Sequence, residues 1–135
     1  MQKTLGLIKP NATKQQLEDF IFNDINRCKF NLTVTKARRL TLTREQASEF
    51  YSEHENKVFF GELLDFMTSG EIIAFVVEGE NAVSAYREVL GNTDPKKAEQ
   101  GTIRAKYATL KEENTAHGSD SLEAAEREIK FFFGE

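Results

Sequence analysis

The stretch EIIAFVVEG, residues 71–79, is apolar without a break from Ile72 to Val77 and lies between Gly70 and Gly79. A strand with one wet face alternates apolar and polar side chains; this one does not, so both of its faces must be covered. It reads as a central, buried strand. Upstream, KTLGLI at 3–8 and NLTVTK at 31–36 are short apolar or β-branched runs and read as two more strands. Between them Leu17, Phe20, Ile21, Ile25 and Cys28 recur at helical spacing, which predicts one amphipathic helix capped by Asn11 or Thr13 after Pro10.

Ahead of the central strand, Thr43 and Gln46 stand at capping-box spacing before Ala47, Phe50 and Tyr51. Phe60, Leu63, Leu64 and Met67 form a second helical pattern that stops at Gly70. After the central strand, Asn81 can cap a helix carrying Val83, Tyr86, Val89 and Leu90, which Gly91 ends. From Gly91 to Asn114 no period is sustained, and a loop of that length inside a compact domain is usually functional. A fourth strand near 115–118 and a last helix with Leu122, Ala125, Ile129 and Phe132 follow, with Asp120 and Glu123 at capping-box spacing. Strands and helices interleaved in this order predict an α+β sandwich, as one domain over residues 1–135.

Lys and Arg number 18 against 22 Asp and Glu, a formal charge of −4, so the overall field repels nucleic acid and anionic membranes. A phosphate ligand therefore needs a locally basic pocket. Cys28 is the only cysteine, which excludes an internal disulfide and a Cys-based metal site and suits a reducing compartment. The opening MQKTLGLIKP has too short an apolar run for a signal-peptide core or a membrane span, and a cytoplasmic location is expected. P-loop, G-x-G-x-x-G, zinc-ligand and G-x-S-x-G patterns are all missing from the sequence.

His117, in NTAHGSDS (114–121), sits where a strand turns into a helix, and Gly118 behind it would let a ligand approach the backbone closely. An isolated histidine is more often structural, and a polar run such as Gly118 to Ser121 often does no more than cap a helix, a role that Asp120 fits. Helix starts nevertheless gather free N–H groups that suit anions. Lys9 after the first strand, Arg87 near a helix end and Arg104 in the long loop could supply cations to a phosphate; singly, each would pass for surface charge. Thr93, Thr102 and Asn114 add polar groups; Tyr51 is a better site candidate than His54, which reads as surface.

Taken in order, LIKPNA, FYSEH, FFGELLDFMTSG, VVEGENAV, REVLGNTDP, GTIRA and NTAHGSDS resemble the nucleoside diphosphate kinases over nearly the whole chain. The resemblance implies a ferredoxin-like α+β fold, a four-stranded antiparallel sheet covered by helices. It also implies ping-pong exchange of the γ-phosphate between nucleoside tri- and diphosphates, mainly from ATP. His117 would be the phosphorylated nucleophile, oriented by Glu128 with Ser119 in support. Lys9, Tyr51, Arg87, Thr93, Arg104 and Asn114 match positions that hold phosphates or ribose, and Phe59 and Leu63 match the wall on which the base stacks. Mg²⁺ would arrive on the nucleotide rather than in a protein cage, and the family forms homo-tetramers or homo-hexamers. No membrane or specific nucleic-acid partner is implied.

The chain departs from the family where it reads RAKY at 104–107 and EEN at 112–114, and at Gln100 and Lys111. Lys106, Glu112 and Glu113 change local charge in the long loop while leaving the catalytic set in place. Those departures define an alternative of a different class, a nucleotide-binding or regulatory module that keeps the fold without turnover.

Overall fold

The structure is a computed structural model that describes residues 1–108 and 115–134. Its frame is a four-stranded antiparallel sheet in the order β2-β3-β1-β4, built from β1 (Gln2–Ile8), β2 (Thr33–Leu40), β3 (Ile72–Gly79) and β4 (Ala116–Gly118). β3 lies inside the sheet, as its unbroken apolar run requires, and pairs with β1 from Gln2↔Gly79 to Ile8↔Ile73. Ile73, Phe75 and Val77 join Ile8, Ile21, Tyr86 and Leu90 in one core. Ile72 and Ala74 join Leu5, Leu7, Met67 and Phe132 in the other. Each fully buried side chain of this size contributes about 1.5–3 kcal/mol, and β3 places such residues on both faces.

One face is covered by α1 (Pro10–Lys14), α2 (Glu18–Asn26), α5 (Ala82–Leu90) and α6 (Ile103–Tyr107), the other by α3 (Arg44–Phe50), α4 (Phe60–Met67) and α7 (Leu122–Phe133). Strand order and antiparallel pairing make this a ferredoxin-like α+β fold, with α3 and α4 placed between the neighbouring strands β2 and β3.

Several elements differ from the sequence reading. The single helix expected between the first two strands is two, because Gln16 adopts a positive φ of 57° and breaks the chain between α1 and α2. Neither Asn11 nor Thr13 caps it: Asn11 Nδ2 donates to Thr115 Oγ1, and Thr13 Oγ1 donates to backbone carbonyls. Phe20 points outward, 61% exposed, and Phe22 instead meets Phe75 edge-on at 5.1 Å. β2 runs on through Ala37-Arg38-Arg39-Leu40; at a sheet edge, charged residues continue a strand and discourage unwanted pairing.

The capping box of Thr43 and Gln46 forms with both of its hydrogen bonds. Asn81 occupies the start of α5 in a left-handed conformation, but its side chain makes no capping bond. The start of α7 is capped by Ser121, whose Oγ accepts from Ala124 N at 3.0 Å, so Asp120 is not the cap. Within the long loop, Asp94 caps a 3-10 turn at Pro95–Lys97 and Thr102 caps α6, which buries Ile103 and Arg104.

Candidate active site

β4 is only three residues long, and its register sets the site. His117 lies opposite Leu7, and directly opposed residues share a face of the sheet, so the imidazole stands on the face covered by α3, α4 and α7. Ala116 and Gly118 point the other way. A Cβ at Gly118 would lie 2.8 Å from Leu90 Cδ1 and 3.1 Å from the Tyr86 ring, so glycine is required there for close packing on α5. That requirement comes from the core, where the sequence reading had looked to an approaching ligand.

Across from His117, α7 presents Glu128. His117 Nε2 donates to Glu128 Oε1 at 2.9 Å, Ser119 Oγ donates to the same oxygen at 2.7 Å, and Leu5 N donates to Ser119 Oγ at 3.3 Å. Burial alone would raise the Glu128 carboxyl. The hydrogen bond and charge of His117, with the Ser119 hydroxyl, outweigh it and hold the group below its ordinary range. An ionised Glu128 accepts only, so the Nε2 proton is fixed and the lone pair of the ring is on Nδ1.

His117 and Glu128 form the floor of a cleft of about 570 Å³. Lys9, Arg87, Arg104 and Thr93 line it on the side of the basic groups, while Tyr51, Phe59 and Leu63 come from the segment around α4. Lys9 starts α1 with Pro10 behind it, as the Lys-Pro pair predicts, and is 8% exposed. Burial, then the charge of Arg104, lowers its ammonium to about 7. Arg104 Nη1 donates to Gly91 O at 3.0 Å and Nη2 to Ala116 O at 2.8 Å; burial lowers it to about 10, opposed by Tyr86 and reinforced by Arg87. Gly91 holds φ at 88° with Thr102 packed where a Cβ would stand, so the chain turns tightly enough for its carbonyl to meet Arg104. Arg87 Nη1 donates to Gly118 O at 3.3 Å, one residue from His117.

Tyr51 is buried, and its hydroxyl has no hydrogen-bond partner among the described residues; burial and then the charge of Glu128 push the phenol up. Arg104 Nε is likewise unpartnered there. Buried polar atoms left open beside a cleft are accounted for when a polar ligand satisfies them. Of the residues singled out in the sequence, these line one cleft, Ser119 stands fully buried behind it, and Asn114 lies outside the described residues.

A histidine thus shares one cleft with four basic side chains, Lys9, Lys57, Arg87 and Arg104, and with the carboxylates of Glu53, Glu62, Asp120 and Glu128. The sequence profile described as nucleoside diphosphate kinase matches residues 2–135. The chain belongs to the nucleoside diphosphate kinase family. A nucleoside diphosphate kinase of Wolbachia pipientis subsp. Culex pipiens (strain wPip) is 49% identical over 135 residues, covering 100% of this chain and 96% of that protein. One from Actinobacillus pleuropneumoniae serotype 3 (strain JL03) is 47% identical over 133 residues, 98% of this chain and 95% of that protein. The apo crystal structure of the Encephalitozoon cuniculi nucleoside diphosphate kinase matches with a TM-score of 0.94 at 36% identity, covering 100% of this chain and 90% of that one. An orthorhombic crystal form of the Aquifex aeolicus nucleoside diphosphate kinase matches at 0.90, also 36% identical, covering 98% of this chain and 94% of that one.

The cleft also takes in residues that the sequence reading did not place there: Glu53, Lys57, Glu62 and Phe66 from the segment around α4, and Phe50, His54 and Asp120 closer to His117. His54, taken as surface, lines the cleft with its Nδ1 buried and unpartnered among the described residues, 6.2 Å from the Phe59 ring. Its spacing of three from Tyr51, continued by a 3-10 turn at Ser52–His54, was the available signal. Asp120, released from capping, also faces the cleft. Phe50 was read only as a core position, but its ring stands beside His117.

Proposed function

We propose that the chain transfers the γ-phosphate of a nucleoside triphosphate, mainly ATP, to a nucleoside diphosphate by a ping-pong route through His117. The observation that carries this reading is the shared Glu128 oxygen, which holds the proton on Nε2 and leaves Nδ1 as the nucleophile in a cleft that Lys9, Arg87 and Arg104 also line. In the first half-reaction the Nδ1 lone pair forms a bond to the γ-phosphorus as the bond from that phosphorus to the β–γ bridging oxygen breaks. The diphosphate leaves with that electron pair. In the second, a β-phosphate oxygen of another diphosphate attacks the phosphohistidine and Nδ1 regains its lone pair. A covalent intermediate divides one exchange into two similar steps.

Lys9, Arg87 and Arg104 offset charge on the transferring group, and Thr93, Tyr51 and Asn114 bind phosphate or ribose. The base stacks on Phe59 beside Leu63, and because every base has a π-face, tolerance of the base should be broad. Among the described residues no group of three or more His, Cys, Asp or Glu could hold a metal, and Glu128 is occupied by His117 and Ser119. Mg²⁺ is expected to arrive on the nucleotide rather than in a protein cage. Bound there, the ion would neutralise phosphate charge.

The protein is further proposed to act as one domain in the cytoplasm and as a homo-oligomer, tetramer or hexamer. This rests on the family. Among the described residues no helix is long and apolar enough to cross a membrane. Initial rates with ATP and a second diphosphate test the reading: parallel double-reciprocal lines support the ping-pong route, and ADP binding without turnover would establish the binding-module alternative instead.

A further inference from the structure

A single hydrogen bond fixes which ring nitrogen carries the proton but leaves the plane of an imidazole free to rock, since the outer torsion of histidine is broad. The structure supplies a second contact. Phe50, the last residue of α3, meets His117 edge-on, with ring centroids 5.6 Å apart and planes at 71°. Phe50 is itself wedged on three sides: Tyr51 at 4.9 Å, Phe132 at 5.3 Å and Phe131 at 5.5 Å. Phe131 and Phe132 also meet each other edge-on at 5.0 Å.

Helix geometry links this cluster to the carboxylate. Glu128, Phe131 and Phe132 are spaced i, i+3 and i+4 along α7, so one helix face presents all three. α7 thus holds the imidazole twice, directly at Nε2 through Glu128 and indirectly through the two phenylalanines that brace Phe50. Edge-to-face ring pairs contribute about 0.5–1.5 kcal/mol beyond area burial and prefer defined angles, which suits them to holding a ring plane.

We propose that Phe50 is a positioning residue for His117, braced by Phe131 and Phe132, and that it fixes the ring plane so that Nδ1 faces the cleft. The claim rests on the functional reading above for its purpose, but its geometry is measurable without turnover. It explains why an aromatic residue from α3 occupies the cleft wall next to the nucleophile, and why Phe131 and Phe132 follow Glu128 on one face of α7.

The test uses the full chain with ¹⁵N-labelled histidine. Ring spectra of the wild type should show one neutral tautomer with the proton on Nε2. Phe50→Leu, which keeps an apolar side chain but no ring, should keep that tautomer, which Glu128 sets, but broaden the Nε2 signal as the ring plane rocks. Its kcat should fall about tenfold or more while KM stays within about twofold. Phe50→Tyr keeps the ring and should restore the sharp Nε2 signal and most of kcat. Should Phe50→Leu fold poorly, Phe131→Leu removes one brace and should give a smaller loss of the same kind. A lower Tm with unchanged ring spectra and kcat in these variants would overturn the proposal. A wild type with the single tautomer but no phosphohistidine would overturn the functional reading instead, and the variants' ring spectra would still decide the role of Phe50.

Discussion

His117 Nε2 and Glu128 Oε1 stand 2.9 Å apart, joining the strand β4 to the helix α7 across a turn of a few residues. Ser119, between them in sequence, donates to the same oxygen. Three residues within twelve therefore settle which ring nitrogen carries the proton, a choice that a histidine alone would leave open. Glu128→Gln replaces an acceptor that holds two donors by an amide that can turn either end to His117. A fall in kcat of about 100-fold with little change in KM is expected, read by single-turnover kinetics.

Lys9 gives the site a pH dependence of definite sign. With its ammonium lowered to about 7, it is largely neutral at pH 8 in the empty cleft, and a bound phosphate favours the charged form. Nucleotide binding at pH 8 should take up a proton, detected by calorimetry in buffers of different ionisation enthalpy, and KM should rise as pH increases above about 7. Lys9→Met should remove both effects. For stability the sign is opposite: between about 7 and 10.5 the unfolded chain binds more protons, so stability contributed by this group rises with pH across that window.

Much of this was legible in the sequence, for reasons that can be assigned. The unbroken run from Ile72 to Val77 locates the inner strand because two covered faces leave no place for a polar residue. The order of Lys9, Arg87, Arg104 and His117 gives the histidine and three of the four cations that line the cleft once the family pattern connects them. Less visible were features that depend on single dihedrals or on packing. The break at Gln16 leaves no mark in the apolar period, α6 is too short for one, and either Asp120 or Ser121 could have capped α7 on chemistry alone. Phe50 and His54 read as core and surface because only the fold brings α3 and the turn after it against β4.

Lys106, one of the departures from the family pattern, has a partner in the structure. Its Nζ lies 2.7 Å from Asp24 Oδ2, which also accepts the Tyr107 hydroxyl at 3.0 Å, so α6 is tied to α2. The pair is partly exposed, and Asp24→Asn should cost no more than about 1 kcal/mol, less in high salt, measured by denaturant unfolding.

Gly118→Ala should destabilise by about 1–3 kcal/mol, since the new methyl group meets Leu90 at 2.8 Å. Combined with Leu90→Val the loss should be less than additive, because the two changes share one space. Thermal unfolding of the two single variants and the double variant measures that coupling.

The account stands on His117 as the carrier of the phosphoryl group, and covalent labelling tests this most directly. With ATP labelled at the γ-phosphate, the wild type should acquire about one acid-labile, base-stable label per chain, lose it on adding a second nucleoside diphosphate, and acquire none as His117→Gln. No label on the wild type, or equal labelling of His117→Gln, would contradict it.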